Sequence, residues 1–79
     1  MLIYIETIVD NKIYELYCEP TDSIHLIKIK IKYILHLDFL YYAVLIFKSI
    51  FLTDYNKSIS DYNITNNSKL YLDPIRLRG

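Results

Sequence analysis

The N-terminal stretch of the chain has the pattern of apolar and polar positions that is typical of a β-hairpin. Residues 2–9 are rich in apolar and β-branched side chains, and residues 13–18 resume the same pattern. Asp10-Asn11 lies between these stretches, and both residue types tolerate the backbone of a tight turn. The pattern therefore predicts two antiparallel strands joined by a short turn.

Residues 24–37 carry two conflicting patterns. Isoleucine and lysine alternate strictly over residues 27–32, which taken alone favours a strand. The same stretch also places apolar residues at helical spacing, at Ile24, Ile27, Ile31, Ile34 and Leu35. Asp22 or Ser23 stands where a helix would be capped. The capping signal favours a helix, and a strand remains the alternative.

The second half of the chain contains shorter apolar stretches and one long polar segment. The apolar stretches predict strands over residues 44–47, 50–52 and 69–72. Residues 54–67 are polar and predict an irregular loop, and Asp73-Pro74 is expected to stop the last strand because proline cannot donate to a strand ladder. Gly79 is the only glycine, so the turns must use Asn and Asp. This order of elements predicts an α+β fold.

Composition and charge narrow the functional class. The chain has 79 residues, enough for one domain, and its 53% hydrophobic content can supply a core. Nine acidic and nine basic residues cancel, so no global positive field exists to attract nucleic acid. The longest apolar run, residues 39–47, is far shorter than the roughly 20 residues that a membrane span needs. We therefore expect a soluble, intracellular protein that binds neither nucleic acid nor membrane.

Several stretches of the sequence resemble the ubiquitin family. The N-terminal Met1-Leu2-Ile3-Tyr4-Ile5-Glu6-Thr7-Ile8 is similar to the first strand of that family, and Glu19-Pro20-Thr21-Asp22-Ser23-Ile24 is similar to its helix entry. Leu45-Ile46-Phe47 is similar to its third-strand core triplet. Ser60-Asp61-Tyr62-Asn63-Ile64 and the tail Arg76-Leu77-Arg78-Gly79 are the most specific matches. The resemblance implies a β-grasp fold, with a mixed sheet of four to five strands packed on one helix.

The resemblance also implies a role as a protein modifier. Members of the family are joined to target lysines by an isopeptide bond, after activating, carrier and ligase enzymes have handled the C-terminal glycine. It implies a β-grasp domain over residues 1–74 and a flexible conjugation tail over residues 75–79, with Gly79 as the conjugated residue. Within that tail, Arg76, Leu77 and Arg78 are the expected recognition contacts. A modifier of this kind is a substrate in the cytoplasm or nucleus. It is not an enzyme and needs no cofactor.

The family's partner-binding surface maps onto Ile8, Ile46 and Tyr71 in this chain. Asp73 stands where the family has a valine, and an unpaired carboxylate against an apolar receptor is costly. We therefore expect ubiquitin-binding proteins to bind this surface weakly.

Three lysines match chain-linking positions of the family and are possible acceptors, namely Lys12, Lys28 and Lys30. The family pairs the second of these with an acid that corresponds here to Asp54. Lys28 falls on the core-facing stripe of the predicted helix, where a cation needs a partner. We therefore expect Lys28 to be buried and to form a salt bridge with Asp54.

Other reactive side chains favour structural roles. Cys18 is the only cysteine, which excludes an internal disulfide, and the strand pattern predicts a packed core thiol. His25 and His36 lack the spacing of a metal site and are expected to be solvated. Tyr62 is expected to brace a loop, as the family's tyrosine does. No set of acid, base, nucleophile or metal ligands is apparent, so we expect no catalysis and no bound metal.

The sequence is compatible with two alternatives, one for the function of the domain and one for the outer side of the helix. The domain could be a binding module or decoy that docks on ubiquitin-pathway proteins without being conjugated. On the predicted helix, Leu26, Ile29 and Tyr33 fall opposite the core stripe, and the resemblance does not explain them. They are either scattered surface residues or a second binding surface.

Overall fold

Five strands, one α-helix and a 3₁₀ turn make up the described part of the chain. The structure is a computed structural model that describes residues 1–36 and 43–74. The strands are β1 (Leu2–Thr7), β2 (Ile13–Tyr17), β3 (Ala43–Phe47), β4 (Ile50–Phe51) and β5 (Lys69–Pro74). The helix α1 is Ile24–Ile34, and the 3₁₀ turn is Ser60–Tyr62. Among the described residues, no helix has the length and apolar content to cross a lipid bilayer.

The strands form one mixed, open sheet in the order β2-β1-β5-β3-β4. The first and last strands, β1 and β5, are parallel and adjacent, whereas the other neighbours are antiparallel. A single helix packs across one side of this sheet. The architecture is α+β and β-grasp-like, which confirms the predicted fold class.

The helix prediction is confirmed over residues 24–34, and the strand alternative is wrong. Ser23 is the N-cap, and its Oγ accepts a hydrogen bond from the Leu26 N–H at 3.1 Å. This bond satisfies one of the amides that the first helical turn leaves without a partner. The local cap therefore outweighs the alternation of isoleucine and lysine.

The core lies between α1 and the inner face of the sheet. It contains Ile3, Ile5, Leu16, Cys18, Ile24, Ile27, Ile31, Leu45, Phe47, Leu52, Ile59, Ile64, Leu70 and Leu72. The predicted role of Cys18 as a packed thiol is confirmed, because its side chain is 4% exposed. Burial raises the pKa of this thiol, which disfavours the reactive thiolate.

The prediction that Asp73-Pro74 stops the last strand is wrong. β5 continues to Pro74, which lies opposite Ala43 in β3. The pairing of β1 with β5 ends at Thr7 and Leu72, so β5 has a neighbour on only one side beyond that point. The missing N–H of a proline is tolerated where the ladder already ends.

Asparagine supplies the left-handed backbone at three turns, as predicted, with positive φ at Asn11, Asn63 and Asn67. The turn between β3 and β4 is different, because Lys48 and Ser49 occupy its two positions with φ of 49° and 67°. Positive φ at both central residues is the geometry of a type I′ hairpin turn, which favours Asn-Gly. A Cβ in this region costs about 1–2 kcal/mol per residue.

Replacing this turn by Lys48→Asn with Ser49→Gly should therefore stabilise the fold. We expect the free energy of unfolding in urea to rise by about 1–2 kcal/mol. Lys48→Gln is the control, because it keeps the strained Cβ but removes the ammonium, which lies 5.3 Å from the Phe47 ring centroid. An Asn-Gly variant no more stable than the wild type would show that this turn stores no strain.

Asp22 holds the entry to the helix and makes stability depend on pH. Its carboxylate accepts a hydrogen bond from the Glu19 N–H at 2.9 Å and lies 3.0 Å from Lys30 Nζ. The backbone hydrogen bond from Glu19, with a smaller contribution from Lys30, lowers the pKa of Asp22 below its ordinary value. A carboxyl with a lowered pKa stabilises the fold above its unfolded-state pKa, and this stabilisation is lost as the pH falls through the lowered value.

We therefore expect the free energy of unfolding to decrease as the pH falls below about 4. Asp22→Asn should lower the free energy of unfolding by on the order of 1 kcal/mol at pH 7. It should also make this free energy depend less on pH in the acid range. The measurement is urea unfolding between pH 2.5 and pH 7. Glu15→Gln, on the exposed side of β2, controls for the loss of one negative charge. If the free energy of unfolding decreased equally with pH in the wild type and in Asp22→Asn, this role of Asp22 would be contradicted.

Candidate functional site: the outer face of the sheet

The sheet has one face that α1 does not cover. Along β1, Ile3, Ile5 and Thr7 are buried toward the core, whereas Tyr4 and Glu6 point to the other side and are half-buried. We call this other side the outer face. Strand register places on it Leu2, Tyr4, Glu6, Ile13, Glu15, Tyr17, Val44, Ile46, Phe51, Lys69, Tyr71 and Asp73.

One row of side chains crosses the outer face through all five strands. Tyr71 in β5 lies between Glu6 in β1 and Ile46 in β3. Ile13 in β2 is opposite Glu6, and Phe51 in β4 is opposite Ile46. Directly opposed residues of neighbouring strands contact one another. The predicted pair Ile46 and Tyr71 is thus brought together, at the centre of a largely apolar row.

The sequence pattern does not single out Ile13 and Phe51, although both extend this row to the edges of the sheet. Their side chains are 56% and 60% exposed, against 36% for Tyr71. A signal for Ile13 exists in the sequence, since its spacing of two residues from Glu15 places both on the same face of a strand. Phe51 belongs to a two-residue strand, too short for alternation to show which face it occupies.

A charge pair joins this row to the adjacent one, because Glu6 belongs to the row and Lys69 lies opposite Tyr4. Lys69 Nζ is 3.0 Å from Glu6 Oε1 and 5.1 Å from the ring centroid of Tyr71. The hydrogen bond with Glu6 is the main cause that raises the pKa of Lys69, and Tyr71 adds to it. The pair leaves the centre of the outer face without net charge, which suits a partner that presents apolar side chains.

Ile8 extends the outer face beyond the end of β1. It is 44% exposed, and its N–H donates to the Leu72 carbonyl at 3.0 Å, which places it beside Asp73. Asp73 is half-buried and lies opposite Val44. Ile8, the third predicted contact residue, therefore lies near the outer face, next to the acidic residue Asp73.

The turn that carries Ile8 is held by a carboxylate. Asp10 accepts a hydrogen bond from the Thr7 hydroxyl and another from the Lys12 N–H at 3.2 Å. The bond from Thr7, followed by that from Lys12, lowers the pKa of Asp10. The ionised carboxylate therefore fixes the conformation in which Ile8 and the 76%-exposed Val9 are presented.

The three possible acceptor lysines differ in access. Lys12 is exposed in the β1–β2 turn. Lys30 Nζ is engaged by the Asp22 carboxylate at 3.0 Å and by the Tyr17 carbonyl at 3.2 Å. An acceptor amine must be deprotonated and reachable, so Lys12 has the most favourable surroundings.

Lys28 is buried, as predicted, with 8% exposure, but it forms no salt bridge with Asp54, so that part of the prediction is wrong. Its Nζ donates to the Tyr55 hydroxyl at 3.0 Å and lies 4.3 Å from the Tyr55 ring centroid. Tyr55 is held beside α1 because its carbonyl accepts the His25 N–H at 3.1 Å. Asp54 instead stabilises its own loop, because its Oδ1 accepts a hydrogen bond from the Asn56 N–H at 3.2 Å.

Other predicted residues have structural or solvated positions. The Tyr62 hydroxyl accepts the Asp54 N–H at 3.2 Å, which confirms that it braces the loop. His25 and His36 are exposed. Within residues 1–36 and 43–74, no group of three His, Cys, Asp or Glu side chains could hold a metal ion.

The predicted tail contacts Arg76, Leu77 and Arg78 and the conjugated residue Gly79 lie outside the described residues. Pro74, the last described residue of β5, immediately precedes this tail in the sequence. No protein-family model matches this chain, and no curated protein matches it. The features of this chain that bear on its function are the fold, the outer face and the tail sequence.

Proposed function

We propose that the chain is a ubiquitin-like protein modifier that is activated at Gly79 and attached to target lysines by an isopeptide bond. The observation that carries the proposal is the β-grasp-like topology, in which the last strand β5 leads directly into Ile75-Arg76-Leu77-Arg78-Gly79. The resemblance of that tail to the ubiquitin family supplies the chemistry. The modifier would act in the cytoplasm or nucleus.

The chemistry requires a narrow, extended terminus. In this family an activating enzyme adenylates the glycine carboxylate, which then passes as a thioester to carrier cysteines and finally to a lysine amine. A glycine lacks a Cβ that would obstruct a narrow channel. Five residues in extended conformation reach about 16 Å, which lets the carboxylate enter an active site while the domain stays outside. Arg76, Leu77 and Arg78 would provide the recognition contacts.

The outer face would serve partner recognition. Its central row offers exposed apolar side chains around the neutralised Lys69–Glu6 pair. Asp73, beside Ile8, adds a carboxylate that an apolar receptor pocket would have to leave unpaired. Common ubiquitin-binding proteins should therefore bind weakly, and a dedicated receptor would place a donor opposite Asp73.

A second candidate function is a non-conjugated binding module or decoy that docks on ubiquitin-pathway proteins. The exposed outer face favours this candidate because binding through Ile46, Tyr71 and Phe51 needs no reactive carboxylate. The two functions differ in one chemical event, the formation of a thioester.

The deciding experiment incubates the protein ending at Gly79 with ubiquitin-activating enzymes and ATP. The modifier predicts a covalent enzyme adduct that survives denaturation and disappears with a thiol reductant. Ubiquitin itself is the positive control, and omission of ATP is the negative one. If no cognate activating enzyme forms the adduct while the protein still binds pathway enzymes through its outer face, the binding-module function replaces the modifier.

A further inference from the structure

Three apolar side chains form a contiguous strip on the solvent side of α1. Leu26, Ile29 and Tyr33 are 37%, 38% and 73% exposed, and we call them the outer helix face. At about 100° per residue, this strip points away from the core. The helical residues buried on the opposite side are Ile24, Ile27, Lys28 and Ile31. The structure thus keeps the three residues adjacent and accessible rather than covering them with the protein's own loops.

Basic side chains border the strip on both sides. Helical geometry places Lys30 along one border and Lys32 with His25 along the other. The helix Ile24–Ile34 contains no aspartate or glutamate. Lys30 is paired with Asp22, whereas Lys32 has no ion pair among the described residues. The helix therefore carries a local excess of positive charge on a chain whose total charge is zero.

We propose that the outer helix face docks an acidic amphipathic helix of a partner protein. The strip spans residues 26–33, about two helical turns or 11 Å, which matches the i, i+3, i+4, i+7 anchors of a single partner helix. Two packed helices lie about 8–10 Å apart, so acids flanking the partner's apolar stripe would reach Lys32. This surface lies on the other side of the molecule from the outer face and does not depend on activation of Gly79.

The same observations disfavour two other binding partners for the outer helix face, a membrane and a second copy of this chain. Interfacial membrane helices need a broad apolar face that enters the lipid, whereas Leu26 and Ile29 are more than half covered by their own chain. A second copy that packs its α1 against this α1 would bring lysines against lysines, with no helical carboxylate to pair them. An acidic helix satisfies both the apolar strip and its basic borders.

The test uses two fluorescent peptides of about 18 residues, long enough to form a helix. Both carry leucines at i, i+3, i+4 and i+7, flanked by glutamates in one peptide and by lysines in the other. Fluorescence anisotropy with the whole protein should show saturable binding of the glutamate peptide, weakened by salt, and much weaker binding of the lysine peptide. Leu26→Gln with Ile29→Gln should weaken the glutamate peptide at least tenfold. Lys32→Glu should shift preference toward the lysine peptide.

Ile50→Gln is the matched control, because Ile50 is an exposed isoleucine on β4, away from α1. It should bind like the wild type. Circular dichroism and urea unfolding check that each variant is folded. Tyr33→Ser, at the most exposed of the three positions, tests the same strip if the double variant does not fold.

Several results would overturn the inference. These are the absence of saturable binding, equal affinity for the two peptides, or full binding by the Leu26→Gln, Ile29→Gln protein. Vesicles of phosphatidylcholine with phosphatidylserine are tested in parallel. Binding to vesicles through the strip without peptide discrimination would assign the face to lipid. Sedimentation that shows a dimer abolished by the double variant would assign it to a second copy.

Discussion

An Ile27→Ala variant is expected to lose about 2–5 kcal/mol of the free energy of unfolding. Ile27 is 0% exposed and belongs to the core between α1 and the sheet. Alanine removes three carbon atoms from a close-packed site and leaves a cavity that the surrounding side chains fill only in part. A domain of this size has a total stability of about 5–15 kcal/mol, so the loss is a large fraction of it.

Ile29→Ala is the control for this prediction, because it makes the same chemical change on the same helix. Ile29 is 38% exposed, and alanine has the higher helix propensity, so the expected change is within about 1 kcal/mol. Urea unfolding of both variants, with an unchanged denaturant slope, measures the difference. Equal losses would mean that Ile29 is packed as firmly as Ile27, and the docking surface on α1 would lose its support.

Removing Gly79 is expected to abolish formation of the thioester with an activating enzyme, and Gly79→Ala is expected to impair it strongly. Deletion would move the carboxylate back by one residue and place an arginine side chain at the reacting centre. Alanine keeps the reach but adds a Cβ where the enzyme channel accepts none. The measurement is the thiol-sensitive adduct on a gel, followed over time at a fixed enzyme concentration.

Lys12→Arg is the matched control for the Gly79 variants. It changes an exposed lysine amine and leaves the carboxylate intact, so the activating step should proceed at the wild-type rate. An undiminished adduct from the protein without Gly79 would show that the enzyme does not use this carboxylate. The proposal of a modifier would then fail, whereas peptide docking on α1 would be unaffected.

The fold class could be predicted from local patterns because a nearby residue resolves the choice between helix and strand. Alternation over residues 27–32 favoured a strand, yet the Ser23 hydroxyl already selected a helix, and that signal is readable in the sequence. The end of β5 was mispredicted for a non-local reason. Whether Pro74 interrupts a strand ladder depends on the residue at which β1 ends. The sequence around Pro74 carries no information about that residue.

The candidate site was less predictable because it is assembled across strands. Ile8, Ile46 and Tyr71 came from the resemblance, while Phe51 entered only when register placed it opposite Ile46. The hydrogen bond between Lys28 and Tyr55 shows the same limit. Tyr55 immediately follows Asp54 in the chain, and the backbone bond from His25 holds it beside α1, where its phenol accepts from the Lys28 ammonium.

The parallel pairing of β1 with β5 has a consequence for how the protein folds during its synthesis. The side chains of Glu6 and Lys69 meet although they are 63 residues apart in sequence. The β1–β2 hairpin must therefore wait for the much later β5, and until then the second edge of β1 has no partner strand. Closing a loop of this length costs entropy before any contact compensates for it, which slows folding. During synthesis, β1 would therefore keep one unpaired edge until β5 has emerged.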